Sequence, residues 1–358
     1  MHRIAIIGGG AIGATHAAAL ASSVRADLVA LVDPAQTGPE LAGEWGCGHL
    51  SDLDALDPAT IDGAIVATPN HLHAPQAIHL MERGVPVLVE KPLGASPEAA
   101  QSIAEASRRL DLPGLVGHHR RHNPILRAAH SFVQGGEFGA LVAGTVLSTL
   151  AKPPSYFDVP WRSEPGAGGT LLINLIHEID LVRHLFGEIS EVSAVAGHHR
   201  RGLAVEDTAA VILSLTQGGI VTVTLSDAAV GPWSWDITAG ENPARFPAMD
   251  AASHMFAGSR AGLSLPDLRT WRHDGDVDWT VPQAMRRLHH GSADIYLAQL
   301  EHFLDVIENR AAPLCTFEDG ARNVAMVAAV ARSSELRRPV AIDLPAPAQA
   351  LRPGNGTE

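Results

Sequence analysis

The sequence predicts a two-domain α/β protein whose first domain is a Rossmann fold with a doubly wound parallel sheet. Three observations predict it. Apolar, strand-like runs alternate with helical stretches up to about residue 120, and a glycine cluster follows the first run. From Leu141 onward, runs of β-rich composition follow one another. Alternating strands and helices are typical of a parallel sheet, and 358 residues exceed what one hydrophobic core usually serves.

The first strand and helix carry a dinucleotide-binding fingerprint. The stretch RIAIIGGGAIGATHAAALA contains an apolar β-branched run, a glycine cluster and an alanine-rich helix. Gly8, Gly10 and Gly13 fit G-x-G-x-x-G, in which the first glycine permits a tight turn and the second lets the backbone approach a pyrophosphate. The third lets the helix pack closely on the strand. The amides at the helix start, at Ala11 and Ile12, are therefore predicted to hold the phosphates.

The second apolar run, LVALVD, ends in Asp33, which lies 20 residues beyond Gly13. An acid at this distance is expected to bind the ribose hydroxyls of NAD, and a simple turn residue before Pro34 is the alternative. A carboxylate repels the additional phosphate of NADP, and no arginine follows in DPAQTGPE. NAD is therefore the predicted cofactor, with NADP the less favoured one.

The alternation continues through three further predicted strands at residues 63–69, 85–90 and 113–119, with a helix over 97–110 between the last two. Ligands of such folds bind at the carboxyl ends of the parallel strands. Residues 71 and 73 are expected in the turn after the first of these strands, with Asn70 directed toward the nicotinamide. The polar residues at or just past the predicted ends are Thr68, Asn70, Glu90, Lys91 and His118.

The second half has its own pattern. Four β-rich runs occur between residues 141 and 227, followed by helical stripes over 293–310 and 316–334. Thr316, with Asp319 three residues on, is a candidate helix N-cap. These observations place the nucleotide-binding domain at residues 1–121 and a second domain at 122–343. The proline- and glycine-rich residues 344–358 are expected to form a loose tail.

Composition limits the function classes. A net charge of −13 argues against nucleic acid or an anionic membrane as the main partner, and no apolar run reaches the length of a membrane helix. Two cysteines, Cys47 and Cys315, cannot form a disulfide framework, so a cytoplasmic location is expected. The 19 histidines include no zincin spacing, because position 181 in HEIDLVRH is a leucine. No metal site is therefore predicted.

Five motifs, in this order, resemble the Gfo/Idh/MocA family of oxidoreductases. They are GGGAIG (8–13), ATPNHLHA (67–74), EKPLG (90–94), HHRRHNP (118–124) and GGTLLINLIHEIDLVRHLFG (168–187). The resemblance covers nearly the whole chain. It implies a second domain with a large, mostly antiparallel, open-faced sheet, and a homo-oligomer (dimer or tetramer) formed through that face.

The resemblance also implies that Lys91 lies beside the nicotinamide and the reacting carbon as a catalytic residue. Partial burial would lower the pKa of its amine toward a working range. The alternative is a lysine that only forms an ion pair with Glu90. If Lys91 is catalytic, Glu90 orients it and belongs to the cofactor site. His177, the second predicted catalytic residue, would lie over the substrate. The alternative for His177 is an ordinary helix histidine satisfied by polar neighbours.

One position departs from the family pattern. Many family dehydrogenases have an aspartate four residues before the histidine, where this chain has Ile173. The nearest polar group is Asn174, which can hold a hydroxyl group but cannot accept its proton. More of the acid–base chemistry is therefore expected from Lys91 and His177.

The remaining predicted site residues surround these two. Asn174 and Asp180 recur with His177 at i, i+3 and i+6, so the three share roughly one helix face. An aromatic loop, KPPSYFDVPWR, is expected to wall a pocket for a polar ring, or else to pack internally or at a subunit contact. The cofactor set also includes Thr68, Asn70 and His73. The predicted substrate ligands are Arg120, Tyr156, Trp161, Arg162, Asn174 and Asp180.

These observations predict an NAD-dependent dehydrogenase that acts on a secondary alcohol of a cyclic polyol, sugar or related hydroxylated ring. Two alternatives stay open. One is a dihydrodiol dehydrogenase or ring reductase of the same family, and the other is a non-catalytic regulator that senses NAD. Retention of both Lys91 and His177 argues against the regulator.

Overall fold

The computed structural model describes residues 1–243 and 245–342, so the predicted tail at 344–358 lies outside the described residues. The chain forms two β-sheets, each covered on at least one face by helices. This arrangement confirms the predicted α/β fold class, with a parallel sheet first and a mostly antiparallel sheet second.

The first sheet has six parallel strands in the order β3-β2-β1-β4-β5-β6. Its central strands are buried on both faces, which is why they are continuous apolar runs without alternation. The strands are β1 (His2–Ile7), β2 (Ala26–Val32), β3 (Gly48–Leu50), β4 (Gly63–Val66), β5 (Val87–Val89) and β6 (Leu115–Val116). The helices are α1 (Ala11–Ser22), α2 (Gly38–Trp45), α3 (Asn70–Glu82) and α4 (Pro97–Leu110).

In this domain one strand was missed and one local prediction was wrong. Strand β3 was not predicted, because three residues are too few to produce a visible hydrophobic period. Residues 71 and 73 lie in the first turns of α3 and not in a turn before it. The helix begins directly after Pro69, whose extended backbone occupies the capping position.

The second sheet has nine strands in the order β14-β13-β12-β11-β7-β10-β9-β8-β15. All pairs are antiparallel except β7 with β10. The strands are β7 (Leu141–Thr149), β8 (Ile189–Gly197), β9 (Thr208–Leu215), β10 (Ile220–Ser226), β11 (His254–Gly258), β12 (Gly262–Leu265), β13 (Arg269–Arg272), β14 (Ala284–Arg287) and β15 (Val340–Ala341). Their alternation places one side chain set in the core and the other on an open face.

The helices that follow residue 121 pack against this sheet or against the first domain. They are α5 (Pro124–Gln134), α6 (Ile176–Phe186), the short α7 (Trp235–Thr238), α8 (Ile295–Ile307) and α9 (Phe317–Leu336). Helix α9 packs against both α4 and β8, and the predicted cap at Thr316 is confirmed as a capping box with Asp319. No helix among residues 1–243 and 245–342 is long and apolar enough to cross a membrane.

The predicted division at residue 121 stays a prediction, and the structure adds a crossing that the sequence did not indicate. Helix α8 lies far along the chain, yet it packs on α1 of the first domain. Its side chains Phe303 and Leu304 belong to the same buried cluster as Ile4 and Ile6 of β1. The C-terminal part of the chain therefore contributes to the core of the nucleotide-binding half.

Candidate active site

The glycine turn after β1 has the shape that a pyrophosphate needs. Gly8 adopts a positive φ of 104°, and a Cβ atom there would lie 2.8 Å from the Ala67 carbonyl oxygen. A Cβ at Gly13 would collide with the Gly8 carbonyl oxygen, whereas no atom lies within 4 Å of one placed at Gly10. The first and third glycines thus permit close backbone packing, and the second leaves open space above the start of α1. Phosphate oxygens fit that space, where helix amides lack intrahelical acceptors.

Asp33 is fixed beside this turn at the end of β2. One carboxylate oxygen accepts the backbone N–H of Gly9 at 2.5 Å, and the other accepts that of Ala35 at 2.7 Å. The acid therefore lies next to the glycine turn, where a ribose attached to the bound phosphates would come. Its cofactor role stays a prediction.

The end of β5 shows why an acid follows a core strand. Glu90 is only 4% exposed, and its carboxylate contacts the His16 ring nitrogen of α1 at 2.8 Å. It also accepts the backbone N–H of Lys91 at 3.1 Å. Burial opposes ionisation, but His16 and Lys91 together hold the pKa of Glu90 below its usual range. Glu90 thus anchors the loop that carries Lys91.

The Lys91 ammonium has no hydrogen-bond or ion-pair partner among residues 1–243 and 245–342. Burial lowers its pKa, and the carboxylates of Glu90 and Asp236 only partly oppose that effect. A desolvated amine without a fixed partner can exchange a proton with a ligand. This geometry is suited to acid–base chemistry.

His177, near the start of α6, lies close to Lys91. Burial lowers the pKa of His177 well below the ordinary value, and the nearby Lys91 and Arg120 lower it further. The ring is therefore neutral near pH 7. Its neighbours include His118 and His119, with ring centroids 6.1 and 5.5 Å away. The buried Nδ1 atom has no partner within the described part of the chain.

A π-helical turn precedes the helix that carries His177. It spans Leu171–Leu175 and continues directly into α6. Such turns have i→i+5 hydrogen bonds and occur frequently at functional sites. Asn174 lies in this turn and is half-buried. The altered helix geometry was not predicted, because a π-helical turn has no distinct hydrophobic period over five residues. The wider turn places Asn174 toward the aromatic loop 152–162, where its oxygen contacts Lys152.

Three predicted site residues have positions that do not fit their predicted roles. Asp180 is buried and its carboxylate is occupied by Arg121 and Asn323, each at 2.7 Å, so no face is left for a substrate. Arg120 is also buried, with ion-pair distances of 2.9 Å to Glu178 and 3.4 Å to Asp236. Neither position could be read from helical spacing, because buried ion pairs form between elements distant in sequence.

His73 likewise lies below the cofactor surface. Its two ring nitrogens contact the carbonyl oxygens of Thr68 and Pro92, each at 2.8 Å. It therefore joins the loops after β4 and β5 and does not face a ligand. Thr68 donates to Gln76 at 2.7 Å, and Asn70 reaches the Ala167 carbonyl of the second domain at 3.5 Å. Asn70 thus stands where the two domains meet.

The aromatic loop forms one compact cluster around Tyr156. The Arg162 guanidinium lies 4.1 Å from the Tyr156 ring centroid and 5.6 Å from that of Trp161. Arg162 also donates to the Tyr156 carbonyl oxygen at 2.8 Å. Burial raises the pKa of Tyr156, so its hydroxyl stays protonated. The cluster is half-buried, and its contact with a substrate stays a prediction.

Lys152, in this loop, is a residue that the sequence reasoning missed. Its side chain is 8% exposed, and its ammonium donates to the Asn174 side-chain oxygen at 2.8 Å. It also lies 4.6 Å from the Tyr156 ring centroid. A signal was present in the composition, since the chain contains only two lysines, Lys91 and Lys152. A residue type this rare is informative where it does occur.

One group of metal-type ligands occurs in the described ranges 1–243 and 245–342. The ligand atoms of His118, Asp180 and Cys315 lie within 4.8 Å of one another. The Arg121 guanidinium already binds Asp180, and burial raises the pKa of the Cys315 thiol well above its usual value. A protonated thiol beside a fixed cation is a poor metal site.

Comparison with known proteins agrees with this geometry. A profile described as "Oxidoreductase family, NAD-binding Rossmann fold" matches residues 2–118, and one described as "Oxidoreductase family, C-terminal alpha/beta domain" matches residues 131–342. The chain belongs to the Gfo/Idh/MocA oxidoreductase family. Its first part is accordingly an NAD-binding Rossmann domain of the oxidoreductase type.

Relatives of this Gfo/Idh/MocA protein include dehydrogenases named for inositol and for levoglucosan. The chain is 26% identical over 355 residues to scyllo-inositol 2-dehydrogenase (NAD(+)) of Bacillus subtilis, covering 96% of each chain. It is 30% identical over 207 residues to levoglucosan dehydrogenase of Pseudarthrobacter phenanthrenivorans, covering 54% of this chain and 53% of that one. The WlbA dehydrogenase of Bordetella pertussis, solved with NADH and UDP-GlcNAcA, shares the fold with a TM-score of 0.78. It is 20% identical, with 96% and 99% of the chains covered.

Proposed function

We propose that this protein oxidises a secondary alcohol of a hydroxylated ring, a cyclic polyol or sugar, with NAD as the hydride acceptor. The single observation that carries the proposal is the pair formed by Lys91 and His177. An amine with a lowered pKa and no fixed partner lies near a neutral imidazole, whose pKa its charge lowers further. Lys91 follows β5 at the carboxyl edge of the parallel sheet, the same edge at which β1 ends in the glycine turn that we propose for a pyrophosphate.

The residues divide the chemistry as follows. When bound, the nicotinamide supplies the hydride acceptor for the carbinol carbon. Lys91 in its neutral form accepts the proton of the reacting hydroxyl group, so that the carbon–oxygen bond becomes a carbonyl. His177 donates to or accepts from the same oxygen and holds it near Lys91. Glu90, anchored by His16, keeps the Lys91 loop in place.

A panel of ring substrates tests this proposal. NADH formation is followed with inositols, aldohexoses, anhydrosugars and cyclic diols, and the products are identified. Turnover of at least one ring alcohol, with loss of turnover in Lys91 variants, is the expected result. Tight NADH binding by calorimetry without turnover of any ring alcohol would favour the NAD-sensing regulator instead. A product formed by ring reduction or diol dehydrogenation would identify the other alternative.

Cofactor choice gives a second prediction. Asp33→Ser removes the charge that faces the adenosine ribose, so NADH affinity should fall and NADPH affinity should rise. Loss of a charged hydrogen bond of about 1.5–3 kcal/mol predicts a change of about 10-fold to 100-fold in the affinity ratio. Fluorescence titration with both cofactors measures it. Asp27→Ser, at the exposed opposite end of β2, is the control and should leave the ratio unchanged. An unchanged ratio in Asp33→Ser would contradict the role of Asp33.

We also propose a homo-oligomer assembled through the open face of the second sheet. The open face carries four exposed apolar side chains, those of Val195, Ile212, Ile220 and Met255. In the strand pairing Ile212 lies opposite Thr222, and Met255 lies opposite Thr145. A large exposed apolar sheet face marks an interaction surface. Its oligomeric use rests on the family resemblance.

Ile212→Glu should therefore lower the molar mass in solution to that of one 37.6 kDa chain, because a buried unpaired charge opposes assembly. Sedimentation velocity measures this. Val24→Glu, on the first domain, introduces the same charge at an exposed apolar position and should leave the mass unchanged. A monomeric wild type, or an assembled Ile212→Glu variant, would refute this interface.

A further inference from the structure

The distribution of lysine in this chain is unusual and points to a second functional ammonium. The chain has 26 basic residues besides histidine, of which only Lys91 and Lys152 are lysines and the others are arginines. The two side chains lie near each other, because the Lys91 charge lowers the pKa of Lys152. Arginine carries every other fixed positive charge, at the surface and in buried ion pairs alike. Position 152 therefore calls for a property that guanidinium lacks, namely a compact ammonium that titrates in a working range.

The structure holds Lys152 firmly. It follows β7, and its backbone N–H donates to the Asp227 carbonyl oxygen at 2.8 Å while its own carbonyl oxygen accepts from Arg201 at 2.9 Å. The ammonium lies 3.5 Å from the Asp227 carboxylate. That carboxylate is already paired with Arg201 at 2.8 Å, so it does not require Lys152. A purely structural ion pair is thus an insufficient account of this side chain.

The contact between Lys152 and Asn174 fixes which way the amide points. An ammonium has only hydrogens to offer, so the Asn174 atom facing it at 2.8 Å is the oxygen. Thr170 donates to the same oxygen at 3.5 Å. The amide NH₂ group of Asn174 must then point the other way. His177 lies three residues further along, in α6, which continues directly from the π-helical turn that carries Asn174.

We propose that Lys152 is a specificity-determining and positioning residue of the active site, one that fixes Asn174 with its NH₂ group toward the substrate. Of the three hydrogens of the ammonium, Asn174 and Asp227 account for two. The clamp formed by Lys152 and Asn174 therefore only donates hydrogen bonds. It suits a second oxygen substituent of the ring, a hydroxyl or carboxylate that accepts them. This inference rests on the proposed dehydrogenase function.

The charges around Lys152 give the clamp a pH limit. Burial lowers the pKa of Lys152 to about 8, with Asp227 opposing this, Lys91 lowering it further and Asp236 raising it. Arg201 and Tyr156 are the other ionisable groups packed on this side chain. Above about pH 8 the ammonium is lost, and a neutral amine holds Asn174 less strongly because charged hydrogen bonds are the stronger ones. Substrate affinity is therefore expected to fall on the alkaline side.

Lysine-selective ¹⁵N/¹³C labelling tests the clamp without any substrate. The full-length protein should give two lysine side-chain signals, assigned with Lys152→Arg. The Lys152 signal is expected to titrate near pH 8, and its midpoint should change in Asn174→Ala. A midpoint near the ordinary lysine value of about 10.5, unaffected by Asn174→Ala, overturns the proposal whether or not a substrate is found.

Kinetics with the best ring substrate form the second arm. Lys152→Met should lower kcat/KM about 10-fold to 100-fold, mainly through KM. It should also abolish the fall of kcat/KM on the alkaline side of the pH profile, the alkaline limb. Lys152→Arg should restore part of the activity without the limb, because guanidinium does not titrate there. Because the two residues act as one unit, the double variant with Asn174→Ala should be within about threefold of the worse single variant. Fully additive losses would overturn the clamp.

A matched control separates the clamp from the loop structure. Arg201→Met removes the other cation on Asp227 without touching Asn174, so it should keep the alkaline limb. Lys152→Met removes a buried charge while Asp227 keeps Arg201, so its melting temperature should not fall below that of the wild type. A lower melting temperature together with an unchanged pH profile would show a structural lysine and refute the proposal. If the wild type oxidises no ring alcohol but the Lys152 titration still depends on Asn174, the proposed dehydrogenase function is refuted and the proposed Lys152–Asn174 contact is not.

Discussion

Replacing Lys91 with methionine is expected to lower kcat by about 10²-fold to 10⁴-fold, the usual contribution of a positioned acid–base group. Methionine keeps the length and apolar stem of the side chain but cannot accept a proton. NADH affinity should change little, because the glycine turn and Asp33 lie at the other end of the cofactor site. Steady-state kinetics with the best ring substrate and a fluorescence titration of NADH measure the two effects separately.

The role of Lys91 as a base also predicts the direction in which kcat/KM changes with pH. Proton abstraction requires the neutral amine, so kcat/KM should rise with pH through the lowered pKa of Lys91. Lys91→Met should lose this acid limb, and the alkaline limb assigned to Lys152 should remain. The Lys152→Met variant provides the matched comparison, because it changes the only other lysine. If Lys91→Met stays within about threefold of wild type, or about 0.65 kcal/mol, the assigned role is wrong.

Replacing Arg121 with methionine is expected to lower the free energy of unfolding by about 3–5 kcal/mol, the usual cost of breaking a buried ion pair. Arg121 donates to Asp180 through two nitrogens and to the Leu314 carbonyl oxygen at 2.7 Å. The variant leaves the Asp180 carboxylate buried, with Asn323 as its remaining strong donor. Urea unfolding followed by circular dichroism measures the change.

Two further variants control for the interpretation. Arg109→Met breaks an ion pair with Glu82 in which both side chains are about half exposed, and should cost less than about 1 kcal/mol. Adding Asp180→Leu to Arg121→Met removes the unpaired charge, so part of the lost stability should return. A loss below about 1 kcal/mol in Arg121→Met would contradict the structural role that we assign to this pair.

The pH dependence of stability follows from the same pair. Burial opposes ionisation of Asp180, but Arg121 and His118 hold its pKa well below the ordinary value. A group with a depressed pKa in the folded state stabilises the protein above its unfolded-state pKa. The wild type should therefore lose this stability as pH falls below about 4, and Arg121→Met should lose less of it.

Much of the fold was predictable because its signals are local. The run RIAII before the glycine cluster, the alternation up to residue 116 and the cap at Thr316 each follow from neighbouring residues. Strand β3 escaped because three residues produce no period. The place of α8 on the first domain escaped because an apolar helix stripe does not specify its partner.

The candidate site divides in the same way. The positions of Gly8, Gly13 and Asp33 at the glycine turn were predictable, because a few consecutive residues determine a backbone turn and the end of a strand. The pairing of Asp180 and Arg120 was not predictable, because sequence position does not reveal whether solvent or a distant partner meets a charged side chain. Asp180 meets Arg121, 59 residues away in the sequence. Only tertiary packing sets such a pair.

By itself, the sequence determined the glycine turn, the strand-end acid and lysine, and hence a dinucleotide-binding oxidoreductase. The tertiary structure alone decided which polar residues face the pocket and which hold it together. It buried Asp180 and Arg120 in ion pairs and brought Lys152 to within 2.8 Å of Asn174. The physical reason is that desolvation and pairing depend on groups that meet only after folding, whereas backbone conformation and hydrophobic period are properties of consecutive residues.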